Sequence, residues 1–140
     1  MRSKILLVYT GGTIGMIKNP ETGALTAFNF DELLSNIPEL RLLEHEISTV
    51  SFEEPVDSSD MDITDYVKLA ELIEANFEDF DGFVVLHGSD TMSYTASAIS
   101  FMFENLKKPI IFTGSQLPIG DLRTDAKENL ITSIQLAGLK

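Results

Sequence analysis

Ile5-Leu6-Leu7-Val8-Tyr9-Thr10-Gly11-Gly12-Thr13-Ile14-Gly15 is the stretch whose reading decides the fold. It opens on an apolar run without alternation, short and partly β-branched, the pattern of a strand buried on both faces of a parallel sheet. Gly11 and Gly12 then let the backbone turn tightly at no steric cost. The turn carries two hydroxyls, Thr10 and Thr13, to the carboxyl end of the strand, the edge at which open α/β sheets bind ligands.

The rest of the chain repeats this unit. Residues 46–53 place Ile47, Val50 and Phe52 as the apolar points of a second strand, ended by Pro55 and followed by the polar turn Asp57-Ser58-Ser59-Asp60-Met61. Tyr66, Leu69, Ala70, Ile73 and Phe77 then fall on one face of a helix that Thr64 or Asp62 caps. Gly82-Phe83-Val84-Val85-Leu86 is a third strand, and His87-Gly88-Ser89-Asp90-Thr91 is its turn. The helix after it is expected to run to about Asn105 and to bury Tyr94, Ala98, Ile99, Phe101 and Met102. Pro109 opens a fourth strand, Ile110-Ile111-Phe112, with the turn Thr113-Gly114-Ser115-Gln116. A last helix over 122–137 turns Leu130, Ile131, Ile134 and Ala137 inward, with Gly138 as its stop.

Two stretches read differently. Residues 16–29 show no period and contain Asn19-Pro20 and Gly23, so they read as a long loop beside the Gly-Gly turn, of the kind that often serves as a lid. Residues 30–36 read as a short helix ending before Pro38. The βα order and continuous apolar strands predict an α/β fold with a doubly wound parallel sheet, Rossmann or flavodoxin-like, with right-handed crossovers. No repeat or linker divides the chain. It stops just past a helix end with no final strand, so it is expected to be the front part of a longer domain.

Composition narrows the function classes. Lys and Arg number 10 against 22 Asp and Glu, a net charge of -12. Such a surface repels nucleic acid and anionic membranes, and neither is expected as a partner. The chain has no cysteine, which excludes a disulfide scaffold, a zinc-thiolate site and a cysteine nucleophile. Arg2 and Lys4 precede an apolar run of only five residues, 5–9, short of the roughly 7–15 of a signal-peptide core. No stretch approaches the roughly 20 apolar residues of a membrane span. A soluble cytoplasmic protein is expected.

In a parallel sheet the four strand ends, at 10–13, 57–60, 87–91 and 113–116, share one edge. Together they bring hydroxyls, carboxylates and helix-N-terminal amides around one small pocket. The plain alternative is that these Ser, Thr and Asp residues only cap the helices that follow. Known nucleotide motifs fail on spacing: Thr10-Gly11-Gly12-Thr13-Ile14-Gly15 is not GxGxxG, no GK[ST] occurs, and Gly88 directly precedes Ser89, so no GxSxG elbow forms. Asp57, Asp60, Asp62 and Asp65 lack calcium-loop spacing, and His45 and His87 lack metal-ligand partners. His87, at a strand end, reads as a hydrogen-bonded structural residue before it reads as a base. The chemistry left open is acyl transfer through a hydroxyl, with a carboxylate such as Asp90 orienting a substrate amine and backbone amides stabilising an oxyanion.

Thr10-Gly11-Gly12-Thr13-Ile14-Gly15 and His87-Gly88-Ser89-Asp90-Thr91-Met92 resemble the two signatures of bacterial-type L-asparaginases, and Asp57-Ser58-Ser59-Asp60-Met61 and Thr113-Gly114-Ser115-Gln116 resemble the cytoplasmic type I branch. The resemblance covers the whole chain in order. It implies the N-terminal part of a two-domain asparaginase fold, spanning 1–140 and incomplete at its C-terminus, with the second domain absent. It implies hydrolysis of L-asparagine to L-aspartate and ammonia without metal or cofactor, in a homodimer or homotetramer. On that resemblance Thr13 is the nucleophile that forms a β-aspartyl ester, Ser89 helps activate water or the nucleophile, and Asp90 holds the α-amino group. Asp57, Ser58 and Ser59 match the loop that binds the substrate's α-carboxylate and amine, and 16–29 matches the mobile lid.

Three departures stand out. Ser89 replaces the family's usual threonine; the lid reads Gly23-Ala24-Leu25 where the family carries a tyrosine; and the family's catalytic lysine lies beyond position 140. Two rival readings accompany the first: the glutaminase component of a tRNA-dependent amidotransferase, and a non-catalytic amino-acid-binding module.

Overall fold

The computed structural model describes residues 2–19, 21–27 and 37–139. Four strands, β1 (Lys4–Tyr9), β4 (Glu46–Ser51), β5 (Gly82–Leu86) and β6 (Ile110–Thr113), form one parallel sheet in the order β4-β1-β5-β6. The register runs Ile5↔Ile47 on one side of β1 and Leu7↔Val84 on the other. The chain leaves β1 toward β4 and comes back to add β5 and β6 on the opposite side. The order therefore reverses at β1, and a crevice opens above the carboxyl ends of β1 and β5.

Both faces of the sheet are covered. Ile5, Leu7 and Tyr9 of β1, with Val84 and Leu86 of β5, pack against Ala126, Leu130, Ile134 and Ala137 of helix α3 (Ala126–Ala137). Leu6, Val8, Phe83 and Val85 point the other way, toward Leu69 and Ile73 of α1 (Ile63–Ala75) and Ile99 of α2 (Met92–Met102). Alternate residues of one strand feed opposite cores, which is why the strands read as unbroken apolar runs. This is the doubly wound parallel sheet that the sequence predicts. No helix among the described residues is long and apolar enough to cross a membrane.

The structure corrects several boundaries. Part of the expected loop at 16–29 is an antiparallel hairpin, β2 (Met16–Lys18) with β3 (Leu25–Ala27). The Asn19 side chain accepts from the Glu21 and Thr22 amides at 2.9 and 3.2 Å, and Gly23 at φ +70° closes the turn. Three-residue strands are too short to show a period, so the sequence hides them. The helix expected over 30–36 lies outside the described residues.

Asp62, not Thr64, caps α1, in a reciprocal capping box with Asp65. Helix α2 ends at Met102 rather than near Asn105, and its buried line runs through Thr95 and Ile99. Tyr94, Phe101 and Met102, expected inside, are 69%, 89% and 42% exposed. The reason is a polar anchor: Thr95 Oγ1 meets the buried His87 ring at 2.8 Å, and that contact sets the helix's rotation. Helix α3 begins at Ala126 instead of 122, because residues before it are held in turns, and Leu122 is fully exposed.

Candidate functional site

The turn after β1 is fixed by interlocking backbone. Thr10 is buried, and both its amide and its hydroxyl donate to the Leu86 carbonyl, at 3.1 and 3.0 Å. Gly11 and Gly12 follow at φ +143° and +92°. A Cβ on Gly11 would sit 2.1 Å from the Val56 carbonyl oxygen, and one on Gly12 would sit 2.5 Å from the Gly88 nitrogen. A Cβ on Gly88 would in turn meet Ser58 Oγ at 2.5 Å, and one on Gly114 would meet the His87 carbonyl oxygen at 2.7 Å. Glycine thus lets all four turns approach within backbone contact. Tyr9 completes the seat: its hydroxyl donates to the Gly12 carbonyl at 3.2 Å, and burial pushes the phenol up to about 12.

The four turns enclose one cavity of about 410 Å³, lined by Gly12, Thr13, Met16, Pro55, Val56, Asp57, Ser58, Gly88, Ser89, Asp90, Ser115 and Gln116. Thr13, Asp57, Ser58, Ser89 and Asp90, chosen from the sequence, are brought together here. Ser59 is not on the wall; it reaches the site by donating its amide and hydroxyl to Asp57 Oδ1, at 3.0 and 2.8 Å. Those bonds, the amide's first, hold the exposed Asp57 carboxyl below its usual range. The two turn hydroxyls therefore divide: that of Thr10 is held in the fold, while that of Thr13, on the cavity wall, has no hydrogen-bond partner among the described residues.

His87 is fully buried beneath the cavity. Its Nδ1 lies 2.7 Å from the Gly88 carbonyl, which only accepts, so Nδ1 carries the proton and Nε2 accepts from the Thr95 hydroxyl. Burial pushes the imidazole below its ordinary value, with the Gly88 bond opposing that in smaller measure. Both nitrogens are engaged inside the fold, and the ring is absent from the cavity wall. Among the described residues no three His, Asp or Glu side chains cluster as a metal site would need.

Two features escape the sequence reading. Thr91 Oγ1 donates to the Ser58 carbonyl at 2.6 Å, tying the second turn to the third. Gln116 Nε2 donates to Ser89 Oγ at 3.2 Å, so the fourth turn supplies a side chain to the hydroxyl of the third. The quoted turn Thr113-Gly114-Ser115-Gln116 was the available signal, but nothing in one dimension shows which of its side chains faces inward.

What the arrangement offers is a hydroxyl at a strand end with no partner among the described residues, a second hydroxyl held by an amide, and two carboxylates, Asp57 and Asp90, suited to an ammonium group. Comparison with known proteins places the chain among its relatives. The family model described as Asparaginase, N-terminal matches residues 4–140. L-asparaginase 1 of Escherichia coli is 44% identical over 137 residues, 97% of this chain and 40% of that protein. The crystal structure of L-asparaginase I from Vibrio cholerae superposes with a TM-score of 0.88 at 45% identity, over 98% of this chain and 41% of that one. A differently named relative, a glutamyl-tRNA(Gln) amidotransferase component from Pyrococcus abyssi, is 38% identical over 96% of this chain and 31% of its own length. The chain spans about 40% of the length of the first relatives it matches. It belongs to the asparaginase family, and its residues match that family's N-terminal portion.

Proposed function

We propose that these residues form the N-terminal domain of an L-asparagine amidohydrolase. The observation that carries the reading is the cavity in which Thr13 faces Ser89, Asp90 and Asp57 across three different turns. In this reading the side-chain amide carbon of asparagine takes up Thr13 Oγ1. The C–N bond breaks, the hydroxyl proton leaves with the nitrogen as ammonia, and a β-aspartyl ester remains. Water then adds to the ester carbon, restores the Thr13 hydroxyl and releases aspartate. Ser89 orients the attacking oxygen, Asp90 and Asp57 hold the α-ammonium, and the glycine-turn amides supply donors to the oxyanion. A homo-oligomeric, cytoplasmic protein fits the family resemblance; light scattering and cell fractionation test those two points.

The test is ammonia release from L-asparagine by the protein as its natural source makes it, beside the 140-residue chain. Thr13→Ala should lower kcat by about a thousandfold or more, the usual scale for loss of a covalent nucleophile. Full activity in that variant refutes the assignment. The amidotransferase relative supports a second reading, which a glutamine-preferring, partner-dependent activity would favour. Aspartate or asparagine binding without turnover would favour a binding module.

A further inference from the structure

Asp125 sits at the N-terminal border of α3, outside the cavity wall, and it organises the turn that feeds the cavity. Its Oδ1 accepts from the Gln116 and Leu117 amides, both at 3.1 Å, and its Oδ2 accepts from the Gln116 amide at 3.0 Å. Asn129, one helical turn on, donates Nδ2 to Asp125 Oδ2 at 3.3 Å and to the Gly114 carbonyl at 2.9 Å. The backbone on both sides of Gln116 is therefore clamped from α3, and the Gln116 side chain spans to Ser89 Oγ.

From this continuous path we infer that Asp125 is a positioning residue for the Ser89 hydroxyl, acting through Gln116; the role assigned to Ser89 rests on the proposed function. The chemistry is specific. An amide N–H donated to Oγ occupies one lone pair, steers the hydroxyl proton away from Gln116, and favours negative charge developing on the oxygen. That donor is useful only if Gln116 is held in place, and two backbone amides on one carboxylate are a rigid way to hold it. The carboxylate's anionic form is favoured by the same bonds, the Gln116 amide first, which keep its pKa below the ordinary value. The four-residue gap between Asp125 and Asn129 puts both side chains on one face at the start of α3, so a single helix end governs the whole turn.

The test is a set of cycles in the protein as its natural source makes it. Asp125→Ala and the gentler Asp125→Asn should lower kcat for asparagine by about 10- to 100-fold, the range for a displaced catalytic group, with KM changed far less. Gln116→Ala should do the same, and combining it with Asp125→Ala should add little. In a Ser89→Ala background the Asp125 substitutions should have no further effect on kcat. Asp62→Ala, which removes the carboxylate that caps α1 away from the cavity, should cost stability and leave kcat unchanged. The inference is overturned if Asp125→Asn lowers only the unfolding midpoint, or if it costs the same factor with and without Ser89. Calorimetry with L-aspartate separates this from the function itself. If the unsubstituted protein releases no ammonia, hydrolysis is refuted, and weaker aspartate binding in Asp125→Asn, abolished as an effect by Ser89→Ala, still supports the path. Equal affinity overturns it. Neither turnover nor aspartate binding in the unsubstituted protein overturns both.

Discussion

Adding one methyl group at Gly12 tests whether the glycine interlock builds the site. The residue sits at φ +92°, ψ +164°, a region that side chains rarely enter. Holding an alanine there costs about 1–3 kcal/mol. The new Cβ would also lie 2.5 Å from the Gly88 nitrogen, 2.6 Å from its Cα and 2.8 Å from the His87 carbonyl carbon. These are backbone atoms at the top of β5, with no flexible side chain to yield, so overpacking adds about 1–3 kcal/mol. Gly12→Ala should therefore lose about 2–6 kcal/mol, a large share of the roughly 5–15 that keeps a domain folded.

Gly23 is the internal control: φ is +70°, and nothing lies within 4 Å of its would-be Cβ. Gly23→Ala should cost about 1 kcal/mol, from the left-handed backbone conformation. The assay is urea unfolding followed by far-ultraviolet circular dichroism, with ammonia release in parallel. Gly12→Ala should fall well below Gly23→Ala in midpoint and lose activity even where it stays folded. Equal losses would refute the reasoning, because close approach of the two turns would then carry no weight.

Thr95→Val removes the donor to His87 Nε2 and leaves a buried ring nitrogen without a partner, at about 1–3 kcal/mol in urea unfolding. The same histidine sets a pH dependence. Its folded pKa lies below the ordinary value, so the unfolded chain binds the proton better as pH falls. Its contribution is whole above about 6.5 and declines as pH drops through that value toward the folded pKa; replacing His87 by Gln should flatten that part of the stability profile. Ser89→Thr keeps the hydroxyl and adds one methyl at the rim of an open cavity, so ammonia release should stay within about threefold. Ser89→Ala should lower kcat by about a hundredfold or more, and near-wild-type turnover in it would remove Ser89 from the chemistry.

The sheet was legible because its strands are buried on both faces: Ile5 to Tyr9 and Gly82 to Leu86 have no solvent side to interrupt the apolar run. Two strand-end turns carried the site, since Thr13 and Ser89-Asp90 sit where a parallel sheet must gather them. Helix α2 misled for a physical reason. Its apolar residues outnumber the positions that face the core, and a polar pair, His87 with Thr95, chooses the face instead. Asp125 was invisible because a helix assumed to start at 122 places it inside the first turn, while in the structure its carboxylate bonds to residues nine and eight positions earlier. Contacts of that range leave no period. The division between Thr10 and Thr13 was equally hidden, because only the fold decides which hydroxyl meets the Leu86 carbonyl.

The mutual contact of the glycine turns bears on how such a pocket can diversify. Gly11, Gly12, Gly88 and Gly114 each abut atoms contributed by another turn, so a side chain gained at one must be matched by retreat at its neighbour. A single substitution at any of them is expected to displace the facing turn. Freedom to change without unfolding lies instead in the side chains that frame displays, above all Asp57, Ser89, Asp90 and Gln116, which line the cavity rather than separate the turns. A library that varies those four positions and leaves the glycines untouched should yield mostly folded proteins in which ammonia release is lowered or lost. One that varies the glycines should yield mostly unfolded chains.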